Sequence, residues 1–300
     1  MFADLFFVGV LLVGGLIGTF TDIKTREVPD FVNYFLIAVG IGGHAILSVL
    51  EWSFWPLVYS LAAAGIFCVV AHLLFYSGTW GGGDAKMLIG FGALLPVYPA
   101  SFLAFLSPSL APWPFLFSLF LNILLFGALY GVLFSAGLAV RHRKKFLVET
   151  QKLRQKKIIK VVQVLLCVLF IVPLACLFLD WSLFFYPAAF WALGVGFLYL
   201  GILAKGVENA CMYKFVKPSA LTEGDWLATD VRIGGRVVYK KSRTGIELKD
   251  IKMLIKLEQE GKLERVKIKE GIPYVPAFLF GVIATLVWGD IIFRIISGAI

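Results

Sequence analysis

The chain has 300 residues, of which 60% are hydrophobic and 16% are charged, whereas about a quarter of the residues of a soluble globular domain are charged. Its 28 Lys and Arg residues outnumber its 19 Asp and Glu residues, which gives a net charge of +9. This composition excludes an ordinary soluble protein and indicates a polytopic membrane protein.

Apolar stretches of roughly 20 residues, the length that crosses a bilayer as a helix, occur along most of the chain. Pro96 and Pro99 interrupt one of them and only Asp180 separates two others, so six or seven spans remain possible. The first stretch lacks a basic start and a small-residue cleavage site, and we expect a span there instead of a cleaved signal peptide. We predict eight spans, near residues 5–21, 31–50, 54–76, 87–106, 115–140, 161–179, 183–204 and 273–298.

The positions of the basic residues predict the orientation, because short loops rich in Lys and Arg stay in the cytoplasm. Placing residues 22–30, 77–86, 141–160 and 205–272 on the cytoplasmic side puts 27 of the 28 basic residues there. The N-terminus then faces outside. We expect the basic segment 141–160 to contact anionic lipid headgroups. Phe146 is its single Phe, Tyr or Trp residue, so aromatic stacking residues do not alternate with the charges, and no nucleic-acid partner is predicted.

The predicted fold class is an all-α polytopic membrane protein of about six to eight transmembrane helices, with a small α+β cytoplasmic domain inserted before the last helix. Three regions are expected. They are a transmembrane catalytic helix bundle at 1–204 with the basic loop 141–160, the cytoplasmic domain at 205–272, and the last transmembrane helix at 273–300.

Short patterns predict the elements of the inserted domain. In "DVRIGGRVVYKK" (230–241), two β-rich runs flank Gly-Gly, which is a hairpin signal. Residues 247–261 have helical periodicity and end at Gly261, and 265–276 contain a third strand candidate. The four cysteines include no CxxC pair, so we predict no zinc site, disulfide framework or cofactor.

Two aspartates lie at predicted span boundaries. Asp22 in "TFTDIKTREVPD" (19–30) closes the first span, and Asp84 in "GTWGGGDAK" (78–86) precedes the fourth. They are 62 residues apart in sequence, but the predicted topology brings both to the cytoplasmic face. Two adjacent carboxyl groups share a proton, so one can act as general base on water and the other as general acid. This is chemistry for amide hydrolysis that needs no metal.

The glycines Gly81, Gly82 and Gly83 are candidates for an active-site loop, because glycine allows positive φ and close approach of a substrate strand. Each motif alone also has a plainer interpretation. The glycines could form an ordinary turn between spans, Asp84 a solvated helix cap, and Asp22 a salt-bridged loop acid beside Lys24 and Arg26.

Together the two motifs resemble the type IV prepilin peptidases, a family of membrane GxGD aspartyl proteases. In that family an Asp closes the first span with a Pro about seven residues later, as Asp22 and Pro29 do here, and the second Asp lies in GxGD followed by x-Lys, as in "GGGDAK". The segments "EGDWLATDVRIGGRVVYKKSRTG" (223–245) and "VKIKEGIPYVPAFLFG" (266–281) extend the resemblance to archaeal preflagellin and prepilin peptidases. Residues 100–204 match the family only in hydrophobicity.

The resemblance implies an aspartyl endopeptidase with Asp22 and Asp84 as the catalytic dyad. Its partners would be membrane-anchored pilin-like or flagellin-like precursors, cut at the cytoplasmic face of the cell membrane to remove a short basic leader. We assign Asp30, where bacterial relatives commonly have Asn, to the loop and not to the dyad. Lys86, two residues from Asp84, is expected to influence its protonation.

Two other functions stay open. A presenilin-like intramembrane protease also uses GxGD, but this chain has no Pro-Ala-Leu motif and Asp84 precedes its span. A transporter could use Asp22, Asp84 and Asp290 as an ion or proton site, but the chain shows no inverted repeat.

Overall fold

The computed structural model describes residues 1–298, and most of them are helical. Three long apolar helices come first: α1 (Phe2–Thr25), α2 (Asp30–Leu50) and α3 (Trp55–Tyr76). Each is long and apolar enough to cross a membrane. They match the first three predicted spans.

The next helix, α4 (Gly82–Leu94), has 13 residues and is therefore only about 20 Å long. It stops because Leu95 precedes Pro96, and a proline ring disfavours the helical conformation of the residue before it. A short 3₁₀ turn at Ala100–Ala104 follows Pro99. The prediction of a continuous span at 87–106 is therefore wrong.

The long helix α5 (Phe115–Arg141) leads from one compact unit of the chain into another. The second unit comprises residues 133–214, which include the last part of α5. Its further helices are α6 (Arg143–Arg154), α7 (Lys157–Leu169), α8 (Ile171–Leu179) and α9 (Trp181–Cys211). The basic segment 141–160 is thus largely helical, although it was predicted as a loop.

Within this second unit, the continuous stretch Lys157–Leu179 and α9 are both apolar and long enough to cross a membrane. The polar break between them is Asp180, whose carboxylate accepts a hydrogen bond from the Ser182 N–H (2.8 Å) and so caps α9. Because α9 continues to Cys211, the strand-containing region begins after it and not at residue 205.

The first unit comprises residues 1–132 and the chain from residue 215 onwards. Its inserted domain, residues 215–272, holds one helix, α10 (Leu248–Gln259), and several short strands. The strands are β1 (Tyr213–Val216, whose last two residues belong to this unit), β2 (Trp226–Leu227), β3 (Val231–Ile233), β4 (Arg236–Tyr239) and β5 (Val266–Lys269).

The β3–β4 hairpin, the helix and the strand β5 confirm the elements predicted for this domain. Gly234 and Gly235 at the hairpin turn have φ of 55° and 83°, which explains why two glycines are needed there. The strand β5 does not join the hairpin. It lies between β1 and β2 in a separate three-stranded sheet. Apolar residues such as Leu254 and Ile246 give the domain its own small core.

The last predicted span, 273–298, is also interrupted. It consists of α11 (Val275–Trp288) and the short α12 (Ile291–Ile296), separated by Gly289 and Asp290. Gly289 has a φ of 75°, which ends α11. Six helices within residues 1–298 are therefore long and apolar enough to span a membrane, and the protein is a polytopic membrane protein with a small strand-containing domain.

The core of the first unit is built around the short helix α4, whose residues from Met87 to Leu94 are almost all buried. Glycines allow the neighbouring helices to approach it closely. A Cβ on Gly40 of α2 would lie 2.7 Å from the Ala93 carbonyl carbon, and one on Gly92 would lie 2.7 Å from the Phe67 ring of α3. Helix α4 is therefore surrounded by protein and presents its first turn at one end of the bundle.

Candidate active site

Asp22 lies in the last turn of α1 and its side chain is buried. It continues the stripe of buried residues that runs along α1 through Leu11, Gly15 and Gly18 at helical spacing. One carboxylate oxygen, Oδ2, accepts a hydrogen bond from the Val275 N–H at 2.9 Å. Val275 is the first residue of α11, so Asp22 binds the positive end of that helix.

Asp84 lies in the first turn of α4, three residues after the N-cap Gly81. Its Oδ2 accepts a hydrogen bond from the Gly81 N–H at 3.1 Å, as in a capping box. The carboxyl group is thereby fixed at the start of a helix that is apolar from Met87 to its end. The local sequence explains this position, because Gly81 ends an irregular segment and an acidic residue is favourable in a first helical turn.

Helix packing brings the two aspartates together. Gly18 of α1 lies against the Met87 side chain of α4, and a Cβ on Gly18 would lie 3.3 Å from Val275 Cγ1. Asp22 is one turn beyond Gly18, and Asp84 is one turn before Met87, so the carboxyl groups meet at the same level. Their charges interact: burial raises the pKa of Asp84 to about 7, and the charge of Asp22 acts in the same direction.

The three glycines do not have the backbone conformation for which glycine is needed. None of Gly81, Gly82 and Gly83 has a positive φ, and the last two already belong to α4. Gly83 is the most tightly packed of them, since a Cβ there would lie 3.2 Å from Val28 Cβ. The positive φ of this connection is at Gly78 (73°), which our sequence interpretation did not single out.

Lys86 has a different environment from the one predicted. Its Nζ binds Asp30 Oδ1 at 2.6 Å and lies 5.3 Å from the centre of the Tyr34 ring. Residues two apart on a helix point about 200° away from each other, so Lys86 faces α2 while Asp84 faces α1. Desolvation and the Asp22 charge raise the pKa of Asp84 and the Gly81 N–H lowers it, while Lys86 pairs with Asp30.

The Asp30–Lys86 ion pair joins the first residue of α2 to the second turn of α4, and its two side chains are partly exposed. We expect Asp30→Asn and Lys86→Gln each to lower cleavage of a suitable precursor by less than about tenfold, because such pairs contribute only about 0–1 kcal/mol. The double variant should be no worse than the more affected single variant, since both changes remove the same interaction. Initial cleavage rates of the three variants, at matched membrane abundance, provide the measurement. Additive losses would show that the two residues act separately.

Sequence reasoning missed the contribution of the segment that enters α11. Besides the Val275 N–H, this segment supplies Tyr274, whose ring contacts Trp80 (centroids 5.6 Å apart) and Phe278 (5.7 Å). A Cβ on Gly127 of α5 would collide with the Tyr274 hydroxyl group. These aromatic residues form an apolar wall beside the aspartates. The corresponding sequence is "IPYVP" (272–276), which lies within one of the segments that resemble archaeal preflagellin and prepilin peptidases.

The inserted domain reaches the same end of the bundle. Arg26, just after α1, lies with its Nε 3.9 Å from Glu270 Oε1, just after β5. The loop from β5 to α11 leads to Val275, whose N–H donates a hydrogen bond to Asp22. The domain is therefore connected to the aspartates through the chain itself and through this ion pair.

Asp290, included in the transporter hypothesis, does not join the two aspartates. It caps α12 through the Phe293 N–H (2.7 Å) and accepts a hydrogen bond from Trp113 Nε1 (2.8 Å). Both bonds are typical of a structural carboxylate. No group of three or more His, Cys, Asp or Glu side chains within residues 1–298 is placed to hold a metal ion.

The part of the chain that holds both aspartates is similar to a known protein family. Residues 9–132 match the model of the type IV leader peptidase family. The match includes both aspartates and Gly81–Gly83, and it confirms the resemblance predicted from the two motifs. It also includes residues 100–132, for which the sequence showed no likeness beyond hydrophobicity. The segments 223–245 and 266–281 lie outside it.

Part of the chain is also similar to archaeal preflagellin and prepilin peptidases. A preflagellin peptidase of Methanococcus voltae is 34% identical over 87 residues, which is 29% of this chain and 37% of the relative. A prepilin peptidase of Methanothermobacter thermautotrophicus is 28% identical over 130 residues, 42% of this chain and 34% of the relative. The match thus spans little more than a third of these relatives. No solved structure matches the chain significantly.

Proposed function

We propose that this membrane protein is an aspartyl endopeptidase that removes the short basic leader from preflagellin-like or type IV pilin-like precursors. One observation carries the proposal: the buried Asp22 and the half-buried Asp84, which come from distant motifs, interact at one end of the helix bundle, within the region that matches the type IV leader peptidase family. The names of the relatives supply the substrate class. The distribution of basic residues supports a cytoplasmic location for this end.

The hydrogen bonds around the two aspartates favour different roles for them. Asp22 accepts the Val275 N–H at a helix N-terminus, which stabilises its ionised form. Desolvation of the half-buried Asp84 and the neighbouring Asp22 charge raise the pKa of Asp84 to about 7, so a large share of it keeps its proton near neutral pH. Asp22 then acts as general base and Asp84 as general acid.

In the proposed reaction a water molecule attacks the scissile carbonyl carbon while Asp22 takes one of its protons. Asp84 gives its proton to the carbonyl oxygen, so the tetrahedral intermediate carries no net charge. Asp22 next passes its proton to the amide nitrogen and the C–N bond breaks. Asp84 recovers a proton from a hydroxyl group of the intermediate, which becomes the new carboxyl group. The dyad returns to its starting state, and water is the only co-reactant.

The direct test is incubation of the purified full-length protein, reconstituted in liposomes, with a flagellin-like or pilin-like precursor. We expect one cut between the basic leader and the hydrophobic helix, identified by mass spectrometry of the new N-terminus. An intact precursor under conditions in which the protein is folded would contradict the proposal and favour the transporter hypothesis. Cuts within the hydrophobic helix would favour a presenilin-like protease.

The pKa of about 7 for Asp84 predicts the pH dependence of cleavage. Activity should fall as the pH rises through about 7, because Asp84 then loses the proton that it must donate. The same group affects stability. A carboxyl group whose folded pKa lies above its unfolded value stabilises the fold at low pH, and this contribution is lost as the pH rises through the folded pKa.

Asp84→Asn provides the control for this pH effect. Asparagine does not titrate, so the loss of thermal stability between pH 5 and pH 8 should be smaller in this variant than in the wild type. Equal pH profiles of stability in the two proteins would show that another group titrates.

A further inference from the structure

The β3–β4 hairpin of the inserted domain and the segment after it form a strongly basic surface, here called the basic hairpin. Its five cationic side chains are all exposed: Arg232, Arg236, Lys240, Lys241 and Arg243. Within residues 1–298, none of the five forms an ion pair. Nothing in the described fold therefore neutralises this surface.

Acidic groups nearby are few. Asp230 accepts a hydrogen bond from the Lys241 N–H at 3.0 Å, so its carboxylate faces the backbone of the segment. Tyr239 is buried on the inner face of β4, where burial and the nearby charges of Asp250 and Glu247 raise its pKa. These two acids therefore lie near the inner face of the hairpin. The outward face of the basic hairpin stays positive, and Val237 between the cations is exposed as well.

The basic hairpin contacts the end of a helix that is long enough to span a membrane. Gly78 lies two residues beyond the end of α3, a helix long and apolar enough to span a bilayer. A Cβ on Gly78 would lie 3.3 Å from both Cβ and O of Arg243, so the segment after β4 rests directly on the turn that ends α3. A turn at the end of a spanning helix lies in the headgroup region of the bilayer. This contact places Arg243, at one end of the basic hairpin, close to the level of lipid phosphates.

We propose that the basic hairpin binds anionic phospholipid headgroups and thereby fixes the inserted domain to the membrane surface. Lys and Arg side chains next to a bilayer are attracted by anionic lipid, and an exposed aliphatic side chain among them can enter the interface. A nucleic acid is a poorer occupant, because the exposed face offers no aromatic side chain on which bases could stack. This inference concerns a surface of the inserted domain and does not depend on peptidase activity.

Hydrogen exchange of the full-length protein in lipid nanodiscs tests the proposal. Amides of residues 231–241 should exchange more slowly, by roughly threefold or more, in nanodiscs with about 30% phosphatidylglycerol than in pure phosphatidylcholine, as expected for electrostatic attachment to anionic lipid. Added salt should reduce the difference. Inorganic phosphate added to phosphatidylcholine nanodiscs should not reproduce it. Equal exchange in both bilayers, or full protection by phosphate alone, would overturn the proposal.

Matched variants separate this binding from general charge. Arg232→Gln with Arg236→Gln removes two charges from the hairpin, and Lys252→Gln with Lys256→Gln removes two exposed charges from α10 of the same domain. The first pair should abolish most of the lipid-dependent protection, and the second should leave it. Exchange of the buried α10 amide of Leu254 reports whether each variant is folded. Equal loss in both pairs would contradict a site at the hairpin.

Discussion

Asp22→Asn and Asp84→Asn are each expected to reduce precursor cleavage by about 10²–10⁴-fold or more, the usual contribution of general acid–base groups. Asparagine keeps the size and shape of aspartate but cannot exchange a proton, so neither half of the proposed reaction can proceed. Because the two groups act as a unit, the double variant should be no slower than either single variant. Initial rates on a radiolabelled precursor in liposomes provide the measurement.

The control for this prediction is Asp30→Asn, which removes a carboxylate from the same end of the bundle but outside the dyad. It should retain substantial activity, because Asp30 contacts Lys86 and not the other aspartates. All variants should reach the membrane in normal amounts. Full activity of Asp84→Asn, or loss of activity in Asp30→Asn while Asp22→Asn stays active, would refute the assignment of the dyad.

Gly40→Ala is expected to destabilise the helix bundle by about 1–3 kcal/mol, the usual cost of overpacking a core. The added methyl group would lie 2.7 Å from the carbonyl carbon and the Cβ of Ala93 and 2.9 Å from the Leu94 nitrogen. These are mostly backbone atoms, so α2 and α4 must separate. Since α4 carries Asp84, cleavage should fall as well. The midpoint of thermal unfolding in detergent measures the first effect, and the cleavage rate measures the second.

Gly42→Ala is the matched control, because it introduces the same methyl group into the same helix. A Cβ on Gly42 meets no atom within 4 Å, so the unfolding midpoint should change little. The comparison removes the effect of helix propensity, which both changes share. If Gly40→Ala were as stable as Gly42→Ala, the close approach of α2 and α4 would be disproved.

The sequence alone determined the class of the protein and most of its long helices. Six of the eight predicted spans are apolar helices of spanning length, because a run of about 20 apolar residues has no other stable arrangement in a bilayer. It also determined the β3–β4 hairpin, since Gly234 and Gly235 are needed for positive φ at its turn. The motifs around Asp22 and Asp84 indicated a resemblance to the prepilin peptidases, and residues 9–132 match the model of the type IV leader peptidase family.

Hydrophobicity could not distinguish the remaining two predicted spans from true spans. Helix α11 is as apolar as the spanning helices but short, whereas α4 is short, carries Asp84 and Lys86 in its N-terminal half and is surrounded by protein; both end at local breaks, before Pro96 and at Gly289. Likewise, α9 extends into the polar region that was assigned to the inserted domain. Length and burial separate α4 and α11 from the six helices of spanning length.

Only the tertiary structure decided what surrounds the two aspartates. The hydrogen bond from Val275 to Asp22 joins residues 253 positions apart, and the Asp30–Lys86 pair joins residues 56 positions apart. Such contacts depend on which helix faces pack together. The pattern of a single sequence predicts which face of a helix is buried, but not which other helix packs against that face. Lys86 and Asp84 are close in sequence, but the helical rotation of about 100° per residue turns the two side chains toward different helices.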